Sequence, residues 1–159
     1  MALLGGNDVY NFDITPIDVR QSKYYINNLS PASAIGKWFY SSYLTSSYQD
    51  CSLSTLDGFT SQGWKAQVAD GNQFIGITLD GEPAVFYALQ LEAVEGSYIK
   101  EFYLEYSVDG STFIRVQSTF SVPSSVANNM TTIYFTAIYA KSIRIQISQY
   151  QEWPAARLE

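Results

Sequence analysis

The segment SIRIQIS, residues 142–148, alternates without a break: Ile143, Ile145 and Ile147 fall on one side, and Ser142, Arg144, Gln146 and Ser148 on the other. Successive side chains of a β-strand point to opposite faces, so this is a strand with one face against a core. Residues 101–108 repeat the pattern, with Phe102, Leu104, Tyr106 and Val108 against Tyr103, Glu105 and Ser107. Asp109-Gly110 follows, and residues 112–116 read as the return strand of a hairpin. A strict two-residue Asp-Gly turn would set Glu105 opposite Ile114 and mix the faces. A three-residue loop with a left-handed Gly110 instead sets Ile114 and Val116 beside Leu104 and Phe102, and is the predicted form. Further strands are predicted over 73–79, 85–93 and 131–135, punctuated by Asp80-Gly81-Glu82-Pro83 and Glu95-Gly96-Ser97. Helical periodicity is confined to a short turn near 124–128.

Many short strands, frequent turn signals and an aromatic set of three Trp, thirteen Tyr and nine Phe predict an antiparallel β-sandwich. A chain of 159 residues is enough for one domain with a full core. No internal repeat or low-complexity linker divides it. Residues 1–38 are less regular and read as an N-terminal arm, either an added strand or a loosely attached segment; residues 39–159 form the domain. No apolar run approaches the roughly 18 residues that a membrane-crossing helix needs. The start, MALLGG, has neither the basic segment nor the apolar stretch of a secretory leader.

Composition then removes whole classes of function. Apolar residues make up 47% of the chain and charged residues 15%, as in a globular protein. The net charge is −6, with nine Lys and Arg residues in all. Phosphate neutralisation needs a basic surface, so nucleic acid is not an expected partner, and electrostatic attachment to anionic lipid is disfavoured. There is no histidine, which eliminates Ser-His-Asp and Cys-His catalysis, imidazole metal ligands and a histidine pH switch. The single cysteine, Cys51, cannot form an internal disulfide and reads as a free buried thiol. Two carboxylates can hydrolyse a glycoside without histidine, but nothing singles out a pair. Asp57, Asp80 and Asp109 all sit in Gly-containing turns, where local hydrogen bonding is their ordinary role. A non-catalytic protein is expected.

The order of the segments YSSYLTSSY, TLDGFTSQGW, NQFIGITLDG, YIKEFYLEYSVDGSTFI, IYAKSIRIQI and WPAARLE resembles the discoidin, or coagulation factor 5/8 type C, family over residues 39–159. The resemblance implies an antiparallel jelly-roll β-sandwich of about eight main strands. It also implies a binding surface on loops at one end, and an extracellular or cell-surface setting. Family members bind sugars, phospholipid headgroups, collagen or other proteins. It implies further that the last strand runs into a turn at Trp153, and that Ala156-Arg157-Leu158-Glu159 completes a sheet beside the N-terminal strand. Trp153 and Arg157 are read as structural, Arg157 as a buried guanidinium that needs a carboxylate. Two departures stand out: the disulfide that ties the ends of many animal members is missing, and the metal motif is incomplete. In DGFTSQGW, Asp57, Gly58 and Trp64 keep the spacing of a calcium-supporting motif, but Phe59 replaces an oxygen-bearing residue and Gln62 a threonine. Calcium takes six to eight oxygens. Asp57 and Glu159 are the carboxylates a structural calcium would use; the alternative is a loop held by Asp57 hydrogen bonds alone.

Three loops carry the candidate ligand residues. The first, 43–50, offers Tyr43, Tyr48 and Asp50, which suits sugar rings that stack on aromatics and hydroxyls that need fixed polar partners. Leu44 alone is strongly apolar and no cation lies nearby, unlike a membrane-dipping loop. The alternative for Tyr43 and Tyr48 is that they pack down as loop anchors. The second, 59–72, offers Lys65 and Asn72, with Trp64 read as core; the third, 95–98, offers Tyr98, either at the rim of a site or packed at a strand start. Trp38 is open between core and surface. The sequons at Asn28 and Asn129 matter only for a secreted protein, and Pro31 makes the first a poor acceptor. The expected function is carbohydrate or glycoprotein binding. A protein-interaction or self-association module using the same loops or the arm is second, and phospholipid binding third.

Overall fold

The computed structural model describes residues 36–48 and 63–158. Nine strands occur in this range: β1 (Gly36–Tyr40), β2 (Trp64–Lys65), β3 (Phe74–Leu79), β4 (Ala84–Glu92), β5 (Tyr98–Ser107), β6 (Ile114–Ser121), β7 (Thr131–Ala140), β8 (Ser142–Gln151) and β9 (Ala155–Leu158). All ladders are antiparallel. They form one sheet of five strands, ordered β1-β3-β8-β5-β6, and one of four, ordered β2-β9-β4-β7. The two sheets face each other as a sandwich, so the predicted architecture holds.

The alternating isoleucines of β8 do what their spacing requires. Ile145 and Ile147 are buried, and Ile143 packs beside them against a core that includes Trp64, Ile75, Leu91, Ile99, Phe102 and Leu104. Ile75 and Ile77 on β3 oppose Ile145 and Ile143 across the ladder, and Leu104 opposes Ile145 from β5. One predicted register is corrected. Gly110 is left-handed as expected, at φ +85°, but Ile114 pairs with Tyr106 rather than Leu104, and Phe102 pairs with Phe120 rather than Val116. The connection is wider because Asp109 organises it: its Oδ1 accepts the N–H groups of Ser111 and Thr112 and the Ser107 hydroxyl, each at 2.8 Å. The apolar face of the hairpin is kept because the shift is by two residues.

The outer face of the five-stranded sheet carries a cross-strand row of Phe39, Gly76, Arg144, Glu105 and Arg115. Glu105 is only 7% exposed although it points away from the core. Arg115 donates to its Oε1 through Nε (3.0 Å) and Nη2 (2.8 Å), and Arg144 Nε donates to Oε2 (2.7 Å). The Arg144 guanidinium also lies over Phe74 and Phe113, 4.7 and 4.2 Å from the ring centres. Gly76 leaves the room beneath Arg144: a Cβ there would stand 2.5 Å from Arg144 Cβ.

The chain's end also differs from what the resemblance implies. β9 lies between β2 and β4, pairing Ala156 with Trp64 and Leu158 with Leu91, whereas β1 lies in the other sheet. Arg157 is buried and finds its carboxylate in Glu92, 2.8 Å away. Trp38 is half-buried and packs against the core.

Candidate loop-end binding site

Connections 41–48, 66–73, 93–97 and 152–154 meet at one end of the sandwich; 80–83, 108–113 and Lys141 lie at the other. The core fixes the first of these loops directly. Trp64 is fully buried, and its Nε1–H donates to the Ser42 carbonyl at 2.8 Å. The Ser42 hydroxyl accepts the Gln67 N–H (3.0 Å) and donates to Gln73 Oε1 (2.7 Å), which Ser41 Oγ also reaches (2.6 Å). Gln73 is buried, and its amide passes on to Asp70 Oδ1 (2.7 Å), which also accepts the Asn72 N–H (2.9 Å). These donors, Gln73 first, hold the Asp70 carboxyl below the usual aspartate range. From beneath, Trp153 Nε1 donates to Ala66 O and the Tyr150 hydroxyl to Ala69 O, each at 2.6 Å. Two surface loops are thus held by buried side chains, which leaves little conformational freedom to lose on binding.

Val94 and Ser97 close a tight turn with two reciprocal backbone bonds of 2.9 Å. Its central residues, Glu95 and Gly96, both have positive φ, +51° and +83°. Such a turn matches the right-handed twist of the strands it joins. Its geometry carries the Glu95 carboxylate towards the first loop, where Oε2 accepts the Tyr48 hydroxyl at 2.8 Å and lies 3.6 Å from Lys65 Nζ. Lys65 in turn sits 5.5 Å from the centre of the Tyr48 ring. The hydrogen bond to Glu95, with partial loss of hydration and the carboxylate's charge, raises the Tyr48 hydroxyl above its ordinary pKa.

The structure therefore brings Tyr48 and Lys65 together, with Glu95 between them. Tyr43 lies on the same loop, 40% exposed, its ring edge-on to Tyr40 at 5.6 Å. Asn72 is exposed on the neighbouring loop. Tyr98 is half-buried against the core, which matches packing at a strand start. Asp50, Asp57, Glu159 and Cys51 lie outside the described residues, as does most of the arm. Among the described residues no three acidic or thiol side chains gather as a metal site. Sequence reasoning missed Glu95 as a site residue. Its signal was available: a glutamate before Gly96 in a tight turn occupies a left-handed position that Asn, Asp or Gly ordinarily takes.

The model of the F5/8 type C domain matches residues 40–159. The chain belongs to this family. No curated protein matches it in sequence. Among solved structures, recombinant discoidin II of Dictyostelium discoideum superposes with a TM-score of 0.64 at 21% identity, over 80% of this chain and 55% of that one. This F5/8 type C chain therefore spans about half the length of discoidin II. Chitosan-binding module 2 of a Paenibacillus sp. IK-5 chitosanase/glucanase, in complex with chitotriose, gives 0.59 at 20% identity, over 76% of this chain and 90% of that one. CpGH89CBM32-5 of Clostridium perfringens, in complex with GalNAc-β-1,3-galactose, gives 0.61 at 17% identity, over 82% of this chain and 96% of that one.

Proposed function

We propose that this F5/8 type C domain is a non-catalytic carbohydrate-binding module, whose ligand is held at the loop end by Tyr43, Tyr48, Lys65 and Glu95, with Asn72 at the margin. The observation that carries this reading is the pairing of an ammonium donor and a carboxylate acceptor 3.6 Å apart beside a tyrosine ring. Neighbouring hydroxyls of a sugar can bond to both, one accepting from Lys65 and the other donating to Glu95, while an aromatic ring covers the apolar face of the pyranose. Family membership and the sugar complexes of two similar structures support the same reading. No step of bond making is assigned to the site. Its work is orientation: buried Trp64 and Gln73 hold the loops in shape before the ligand arrives. A site of this size binds weakly as a single copy, and clustering would raise its avidity.

The test is a glycan array with the purified chain, in calcium and again in EDTA, with Tyr43→Ala and Glu95→Gln alongside. Binding to one sugar class that both variants lose, with unchanged melting, supports the assignment. Equal binding by wild type and both variants would remove it from this end. Loss in EDTA alone would assign a calcium role to residues beyond those described.

A further inference from the structure

Large apolar side chains that remain exposed fall into two places. Tyr43, Leu44, Val68 and Met130 lie at the loop end; Val108, Ile114, Tyr134 and Tyr139, each more than half exposed, lie along one side of the sandwich. That side is where β6 and β7, the last strands of their respective sheets, stand apart. Between them runs an open groove of about 690 Å³, lined by Tyr106, Val108, Ile114, Phe120, Phe135 and Tyr139 among others.

An edge strand exposes a row of backbone donors and acceptors, and natural edges are blunted by lysine, proline, inward charge, short length or bulges. β7 has ten residues, TTIYFTAIYA, with no charge, proline or glycine. Its one protective device is a bulge. The ladder to β4 passes from Ile138–Phe86 to Tyr134–Ala88 and skips Phe135, Thr136 and Ala137, of which Thr136 and Ala137 are exposed. Among the described residues nothing pairs with the outer side of this strand.

We propose that β7 is a self-association edge, and that its occupant is β7 of a second copy, paired antiparallel about a two-fold axis. Self-pairing brings a strand against its own sequence, so any charge near its centre would meet its like; β7 has none to meet. The chain's −6 charge disfavours contact over most of its surface, and this neutral side is where two copies can approach without opposing carboxylates. Pairing joins the two four-stranded sheets with their inner faces on the same side. The open mouths of the sandwiches then face each other, and Val108 and Ile114 of each copy are covered. The symmetry is isologous and closes at two copies.

Sedimentation velocity of the full chain over a dilution series tests this, with Thr136→Lys and, as a control at the loop end, Val68→Lys. A reversible species of twice the 17.8 kDa chain mass, lost in Thr136→Lys and kept in Val68→Lys, is the expected result. Hydrogen exchange should show β7 amides gaining protection as concentration rises, a readout that needs no variant. A monomer at every concentration overturns the proposal, as does a dimer that Thr136→Lys leaves intact or that Val68→Lys abolishes.

Discussion

Arg144 donates its Nε–H to Glu105 at 2.7 Å on the sheet face that alternation assigns to solvent. The pair is shielded there by Phe74 and Phe113 above the guanidinium and by Arg115 on the other side of the carboxylate. Burial by itself would raise the Glu105 pKa; the hydrogen bonds and charges of Arg115 and Arg144 outweigh it and hold the carboxyl below the usual range.

The sign of the pH dependence follows. A depressed carboxyl contributes stability that is complete above its unfolded value, about 4.3, and is lost as pH falls through the lower folded value. Urea midpoints measured between about pH 7 and about pH 3 should show wild type losing this contribution, and Glu105→Gln showing a flatter acid limb. The gap between the two proteins closes towards acid. Parallel limbs would mean that the row is not electrostatically coupled.

Gly76→Ala should destabilise the fold by about 2–3 kcal/mol, the range of a forced overpacking. The added methyl would collide with the Ile143 carbonyl oxygen as well as with Arg144 Cβ. Denaturant unfolding measures it. Gly81→Ala, where a Cβ meets nothing within 4 Å, is the control expected to change stability little.

Glu95→Asn separates binding from folding. Asparagine tolerates the left-handed backbone that Glu95 occupies at φ +51°, so the melting temperature should hold. The carboxylate is gone, and sugar affinity should fall about tenfold or more, the equivalent of one charge-assisted hydrogen bond. Calorimetric titration with the array's best ligand reads it. Unchanged affinity would place the acceptor elsewhere.

Trp64→Phe should alter both properties at once. The smaller ring leaves a void in the core and the Ser42 carbonyl without its indole donor, at a cost of about 1–3 kcal/mol. Ligand affinity should drop with stability because the 41–48 loop loses its tie. Stability loss with unaltered affinity would show the loop to be held by the Gln73 network alone.

The strands that the sequence displayed most clearly were those whose two faces differ in polarity, such as β5 and β8. β6 was legible only in part. Its later residues, Gln117, Ser118 and Thr119, face water or the groove and carry no alternation, so the strand was expected to end at Val116 but runs to Ser121. β7 was likewise cut at Phe135, where its bulge breaks the period. At the site, residue type pointed to Tyr48 and Lys65 because aromatic and charged side chains announce themselves. Glu95 came from a different loop 47 positions from Tyr48, and only the sandwich topology joins them. The burial of Glu105 was hidden for the same reason, since its two partners are supplied by other strands.

The direction of β7 has a consequence for what the molecule can hold. The strand starts beside the loop end and runs to the far end. A copy paired antiparallel along it is turned head to tail, so the two sugar-facing ends point in opposite directions. Such a pair could not grip one surface with both ends; it would span the space between two surfaces, as a rivet does, and agglutinate particles that carry the ligand.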